Sequence, residues 1–329
     1  VPRPQPPVGG TSLTRFLAKR CGQALVVIFL VTVIVFLLLH SVPGGPARGI
    51  LGPQASAQTI AAFNHEHGFD QSLIQQYWSY LSRLLHGDLG DSYTLNQSVG
   101  SLIAQRLPKT LILTGLSTLL ALVIAIPLGV WQGRRRKGLA DYAVTTVVFI
   151  GYATPVFLLA LILVVVFTEK FPILPVQAPQ AQSLSGLFAD SRGLILPILA
   201  GAIATIAAFS RYMRSAVLDN LAEDYVRTAR AKGASERRVV WLHIMRNSLT
   251  PIIAMLGYYL PVLFGGALVI ESVFNYPGMG LLFWNAAQTS DYPILLGAVL
   301  VIALATVIGS LLADILQAFV DPRVRGAIK

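Results

Sequence analysis

The sequence predicts an all-α polytopic membrane protein with six transmembrane helices, an extracytoplasmic helical segment after the first span and a large cytoplasmic loop between spans four and five. Three observations predict this. Of 329 residues, 54% are hydrophobic and 12% charged, against about 25% charged in an ordinary soluble domain. Mean hydropathy is +0.66. The apolar residues also gather in separate runs near the ~20 residues that cross a bilayer, rather than in short periodic stripes.

Taken in order, residues 1–20 read as a short cytoplasmic tail, because VPRPQPPVGG is too rich in Pro and Gly for a helix and too polar for a signal-peptide core. Span 21–39 follows Arg15, Lys19 and Arg20. With no small-residue cleavage site near Ser41, it is expected to stay as a membrane helix. The segment 40–109 lies outside. In it Asp70 is expected to cap an amphipathic helix carrying Leu73, Ile74, Tyr77, Leu81, Leu84 and Leu85, with Gly87 as its stop. That apolar face fits either the bundle or the outer interface. Spans 110–130, 142–167 and 194–209 follow, the last being the shortest. A cytoplasmic loop 210–248, a span 249–270, an outer loop 271–292, a span 293–319 and a cytoplasmic tail 320–329 complete the chain.

Charge sets the orientation. The four segments on the side of the termini carry 4, 4, 8 and 3 of the 25 Lys and Arg, and the three opposite segments carry 4, 2 and 0. Basic residues accumulate on the cytoplasmic side, so both termini are expected there. The same bias accounts for the net charge of +10 without nucleic acid. Arg106 and Lys109 oppose the trend near the outer end of the second span, where snorkelling would accommodate them.

Several chemistries are excluded. One cysteine, Cys21, forms no internal disulfide and no multi-cysteine metal site. The five spans before Pro293 contain no Asp, Glu, Lys, Arg or His and the last only Asp314, so no proton relay is evident. No Gly-x-x-x-x-Gly-Lys-Ser/Thr sequence occurs, so the chain has no P-loop. No span holds a Ser or Cys with a basic partner, as a membrane hydrolase would need. His65-Glu66-His67 suggests a metal or proton site, but i and i+2 side chains point to different sides of a helix, and a solvated loop is the expected reading. Glu271 and Asp291 flank an outer loop without basic residues; they either attract a substrate ammonium or a binding protein by field, or position helix ends.

Proline and glycine interrupt several spans, at Pro127 and Gly129, Gly151 and Pro155, Pro197, Pro261, and Gly265 with Gly266. Each proline removes a helix hydrogen bond and clashes with the preceding turn. Pro155, Pro261, Gly265 and Gly266 are candidate hinges of a gated path, or static kinks in a bundle.

The loop 210–248 is too long for a connector. Leu218, Leu221, Ala222, Tyr225, Val226 and Ala229 form one helical stripe that Gly233 ends, and Ser235 caps a second short helix running toward Arg246. Arg227, Arg230, Lys232, Arg237 and Arg238 surround the junction, while Thr228, Ala229 and Ala231 are small enough to approach a groove. This suits docking onto an acidic partner. An amphipathic helix lying on anionic lipid fits the same residues.

The run Tyr225-Val-Arg-Thr-Ala-Arg-Ala-Lys-Gly233, with Arg246-Asn247 and Pro251, resembles the EAA-type loop of the peptide/nickel branch of ABC importer permeases, specifically the first (B-type) permease subunit of a peptide transporter. Arg227-Thr228-Ala229 stands where the general pattern has Glu-Ala-Ala, as in the peptide branch itself. Also similar are Pro43-Gly44, Gly87-Asp88-Leu89-Gly90 with Ser92, Arg106-Leu107-Pro108, Glu271-Ser-Val-Phe274, Pro277-Gly278-Met-Gly280, Asp291-Tyr292-Pro293 and Asp321-Pro322-Arg323-Val324-Arg325. Pro43-Gly44-Gly45-Pro46 departs, since many relatives carry an acidic residue there.

The resemblance implies a bacterial inner (plasma) membrane subunit, non-catalytic, paired with a second permease. Two ABC ATPase subunits that bind ATP and Mg, and an extracytoplasmic substrate-binding protein, complete the assembly; this chain itself binds no cofactor. Tyr225, Arg227, Thr228, Ala229, Arg230, Lys232, Gly233, Arg237 and Arg246 would dock the ATPase. Di- or oligopeptides are the implied substrate, with nickel, glutathione or oligosaccharides as alternatives. A self-sufficient channel or secondary carrier is the competing class.

Overall fold

The computed structural model describes residues 13–41, 45–52, 54–135, 138–265 and 268–320. Among them the chain is helical throughout, with no strand beyond one isolated bridge between Asp91 and Ser98. Helix α1 spans Leu13–His40, and the segment between it and the next long helix holds α2 (Gly45–Leu51), α3 (Ala57–Glu66) and α4 (Leu73–Leu85). After α5 (Val99–Arg134) come α6 (Leu139–Ala153), α7 (Val156–Val164), α8 (Leu184–Ala189) and α9 (Arg192–Leu221). The second half contains α10 (Asp224–Ala231), α11 (Glu236–Arg238), α12 (Met245–Gly265), α13 (Leu268–Val273), α14 (Met279–Gln288) and α15 (Tyr292–Val320). Five helices are long and apolar enough to cross a membrane, and the bent pair α6–α7 makes a sixth.

The centre of the bundle is the contact of α5 with α9. On α5, Ser117, Ala121, Ala125, Gly129 and Gly133 recur every fourth residue and are all buried. Small residues at this spacing let two helix backbones approach in an apolar medium. The opposite stripe on α9 includes Phe209, Met213 and Val217, each 0% exposed. A Cβ on Gly129 would sit 2.6 Å from Met213 Cβ and 2.8 Å from Ser210 O; one on Gly133 would sit 2.6 Å from Val217 Cγ1. Gly129 is therefore a packing seat, and Pro127 lies inside the continuous α5.

Four sequence expectations change. Residues 142–167 do not form one rod: α6 and the segment Val156–Lys170 meet at 105°. Pro155 has no N–H to continue the ladder, and the preceding Thr154 is pushed to an extended ψ of 127°. The Thr154 hydroxyl instead donates to the Ile150 carbonyl at 2.7 Å. Second, the helix predicted at 194–209 runs over Arg192–Leu221, because the loop's first twelve residues continue it. Third, Ser72 rather than Asp70 caps α4, through a capping box with Gln75. Asp70 pairs with His65 at 2.8 Å instead. Fourth, Lys109 does not snorkel: it is 4% exposed and its Nζ donates to the Ala181 carbonyl at 2.8 Å.

Candidate functional site

The elbow between α9 and α12 is built by local rules. The helical stripe expected from Leu218 to Ala229 is broken, since α9 ends at Leu221 and Glu223 takes an extended φ,ψ of −72°, 147° before α10 begins. Its periodicity survives a break because both helices bury their apolar residues in the same core. Gly233 then adopts φ +78° with open space around its Cα, the left-handed cap that glycine accepts without strain. Ser235 Oγ accepts from Arg238 N as predicted. The helix it starts is not short, however: a π turn at Val239–Ile244 joins α11 to α12, so one helical rod leads from the elbow into the next span.

The inner face of α10 is pinned. Val226 is 0% and Ala229 9% exposed, packed with Val217, Val239, Val240 and Ile244. Tyr225 Oη donates to Asn220 Oδ1 at 2.5 Å, and Asn220 Nδ2 donates to Ser248 Oγ at 3.2 Å. Tyr225 thus ties α10 to the end of α9 and the start of α12. Ala229 faces this core, so among the small residues Thr228 and Ala231 are the ones left outside.

The outer face is basic. Arg227, Arg230, Lys232, Arg237, Arg238 and Arg246 are exposed. Two of these cations are paired within the chain: Arg227 with Asp224 at 3.3 Å, and Arg230 with Glu236 at 2.7 Å. Glu236 hydrogen-bonds Arg230 and raises its guanidinium, while Arg230 lowers the Glu236 carboxyl. Such exposed pairs contribute about 0–1 kcal/mol each, enough to hold shape and weak enough to exchange partners. Beside them, a hollow of about 460 Å³ is lined by Ser235, Arg237, Arg238, Trp241 and Leu242. Trp241 is 58% exposed. Sequence reasoning did not single out Trp241, although a Trp-Leu pair following two arginines was a readable signal.

Of the candidate hinges, Pro155 makes the bend described above. Pro261 and Gly265 lie within α12, and Gly266 falls outside the described residues. So do Pro43-Gly44 and Asp321 to Arg325.

Glu271 and Asp291 are both 0% exposed, which overturns their reading as outer contacts for a substrate or a binding protein. They position helix ends. Glu271 accepts from Thr110 Oγ1 at 2.8 Å and from Leu281 N at 2.9 Å, in the first turn of α14. Thr110 Oγ1 in turn accepts from Met279 N at 2.7 Å. Burial pushes the Glu271 carboxyl up, opposed by the bonds from Leu281, Thr110 and Gly280. A Cβ on Gly278 would overlap the carboxylate, so the Pro277-Gly278-Met279-Gly280 run is the cradle for this side chain. Asp291 Oδ2 accepts from Ser92 Oγ at 2.6 Å, Thr94 Oγ1 at 2.7 Å and Thr94 N at 3.0 Å. Motifs 199 residues apart thereby form one clamp.

A buried network at the elbow end of the bundle escaped the sequence reading. Arg214 Nη2 meets Asp141 Oδ2 at 2.9 Å and Nη1 donates to Thr145 Oγ1 at 2.8 Å, joining α9 to α6. Gln132 of α5 donates to the same hydroxyl at 3.1 Å. Both charges lie just outside the expected spans, which is why a count of in-span ionisable residues missed them.

His65 and His67 hold no common ligand position: His65 faces Asp70, and His67 stacks on Phe63 with ring centroids 4.1 Å apart. Among the described residues no group of three or more His, Cys, Asp or Glu could hold a metal ion.

Comparison with known proteins places this architecture. Residues 125–326 match the family described as binding-protein-dependent transport system inner membrane component, and residues 13–114 match that system's N-terminal membrane-component family. The oligopeptide transport system permease protein AppB of Bacillus subtilis is 36% identical over 314 residues, covering 95% of this chain and 99% of its own. A Brucella ovis protein named "Putative peptide permease protein" is 37% identical over 318 residues, with coverage of 95% and 99%. The glutathione transport system permease protein GsiC of Escherichia coli K12 is 36% identical over 314 residues, again covering 95% and 99%. The chain belongs to the family of binding-protein-dependent transport system inner membrane components, and is a multi-pass, non-catalytic permease subunit of an ABC transporter.

Proposed function

We propose that this chain forms, with a second permease, the path for di- or oligopeptides into a bacterial cell, and that the elbow Tyr225–Gly233 transmits the work of two separate ATPase subunits. ATP and Mg act on those subunits; this chain carries no nucleotide site. Both termini lie in the cytoplasm, on the side of the basic elbow. A substrate-binding protein delivers the solute at the opposite face, where α3, α4 and α14 lie.

One observation carries the reading. The elbow is basic and open on its outer face, while its inner face is fixed to two long helices by Val226, Tyr225, Asn220 and Ser248. A load applied to α10 is therefore delivered to α9 and α12 together. A helix merely lying on lipid has no need of that bracing. Similarity to peptide and glutathione permeases supports the substrate class, glutathione being itself a tripeptide.

The test is uptake and ATP hydrolysis by the assembled transporter. Arg227→Glu reverses an exposed charge without touching the core, and Gly233→Pro replaces a φ of +78° that proline cannot adopt. Both are expected to leave membrane insertion intact and to lower uptake per ATP hydrolysed. Normal uptake by both variants would refute the docking role.

A further inference from the structure

Helix α9 presents a second stripe, distinct from its seam with α5. Ala204, Ala208, Arg211 and Ser215 recur at i, i+4, i+7 and i+11, and none is buried. Two tyrosines border this stripe. Tyr152 of α6, 53% exposed, lies under the Arg211 guanidinium with Cζ 4.7 Å from the ring centroid. Tyr259 of α12 packs its ring on Phe209, centroids 5.1 Å apart.

The depth of this cation matters. Asp141, at the elbow end of α6, pairs with Arg214. Tyr152 lies eleven residues further along α6, about 16 Å at 1.5 Å per residue. By stacking on Tyr152, Arg211 points away from the elbow end and toward the middle of the bundle, the reverse of an arginine snorkelling to the nearer surface. Among the described residues no carboxylate pairs with it. A guanidinium at membrane depth is costly unless it faces a cavity or a ligand. The Tyr152 ring meets the guanidinium from one side only, and a group with five N–H donors keeps enough of them for a bidentate anion. The alanines behind it leave room.

We infer that Arg211, held over Tyr152, is a substrate-binding subsite in the translocation path, and that it holds a carboxylate of the transported solute. The inference rests on the peptide-permease reading and adds a ligand and residues to it.

Two measurements on the complete transporter in proteoliposomes test it. In a Cys21→Ser background, Arg211→Cys is expected to react with a charged, water-soluble methanethiosulfonate, and free trialanine is expected to slow that reaction. An unreactive cysteine places position 211 against lipid or headgroups and overturns the proposal, whatever the transporter carries. Uptake of trialanine and of its C-terminal amide is then compared. Arg211→Gln is expected to raise KM for the acid about tenfold or more while leaving that for the amide near wild type, because a charge-assisted pair is lost. Arg211→Lys is expected to recover part of the difference. An equal change for acid and amide would overturn the carboxylate assignment. Failure of the underlying reading looks different: a wild-type complex that imports neither peptide refutes peptide transport, and the carboxylate subsite falls with it.

Discussion

Gly133→Ala tests the α5–α9 seam, because the two glycines of that seam differ in what opposes them. At Gly133 the new methyl meets Val217 Cγ1 at 2.6 Å, Val217 Cβ at 3.0 Å and Arg214 O at 3.5 Å. Carbon atoms pack at about 3.5–4.0 Å, so the shortfall is about 1 Å, and such over-packing costs about 1–3 kcal/mol. Val217→Ala removes the worst of these contacts. At Gly129 the methyl meets Met213 Cβ at 2.6 Å and Ser210 O at 2.8 Å, atoms that Met213→Ala leaves in place, and Met213 Cγ at 2.9 Å, the one contact it removes. The expected result is therefore asymmetric. Val217→Ala offsets Gly133→Ala by about 1 kcal/mol or more, whereas Met213→Ala offsets Gly129→Ala by less, because the two shortest contacts remain. Unfolding of the purified subunit in mixed micelles, followed by tryptophan fluorescence in two double-mutant cycles, measures both couplings. Additivity within about 0.5 kcal/mol at the Gly133–Val217 pair, or a rescue of Gly129→Ala by Met213→Ala as large as that at Gly133, would refute the packing argument.

Further outcomes follow from the clamps. Glu271→Gln turns an amide N–H toward Thr110 or Leu281 in place of an acceptor, and is expected to destabilise by about 1.5–3 kcal/mol in the same unfolding assay; Gly278→Ala is expected to mimic it. Asp141→Asn leaves Arg214 without its buried partner, and because Arg214 is 26% exposed the loss is expected near the lower end of about 3–5 kcal/mol, with Asp141→Asn/Arg214→Gln recovering part of it. In the outer segment Asp70 raises the His65 pKa above 6.5 and His65 lowers that of Asp70 below 3.8. The histidine's contribution is fully present below 6.5 and fades as pH rises through the raised value; the aspartate's is present above 3.8 and fades as pH falls through the lowered one. Hydrogen exchange of residues 57–85 is therefore expected to quicken in His65→Ala at pH 5 and to match wild type at pH 8.5; an equal effect at both pH values would refute the pair.

Much of this architecture was legible in composition and run length, because a bilayer demands long apolar helices and leaves few alternatives. The Gly233 cap and the Ser235 start were legible for the same kind of reason: each depends on a residue type with a local conformational rule. The break at Ala222–Glu223 was not, since a helical stripe continues in register when two helices share one core. The place of the bend was legible, since Pro155 stood among the candidate hinges, but its 105° was not; proline alone does not say how far a helix kinks, as Pro127 and Pro197 inside unbroken helices demonstrate. The burial of Glu271 and Asp291 depended on partners 161 and 199 residues away, a separation no local pattern spans.

The placement of these long-range bonds constrains how the molecule can move. At the end away from the elbow, Glu271 binds Thr110, a third of the way along α5, to the first turn of α14, and Asp291 binds the segment before α5 to the start of α15. At the elbow end, Arg214 binds α9 to α6, and Tyr225 with Asn220 binds α10 to α9 and α12. Between the two ends the α5–α9 seam has no slack, because its glycines already lie at contact distance. A displacement of the elbow therefore cannot be absorbed along α9, and must reach places where helical order changes. Among the described residues those include the Pro155 bend and the π turn at Val239–Ile244, and such turns are frequent at functional sites. Both belong to the helices that flank Arg211, α6–α7 on one side and α11–α12 on the other. The open face carrying Arg211 is thus bordered by the two elements that can bend and backed by the one that cannot.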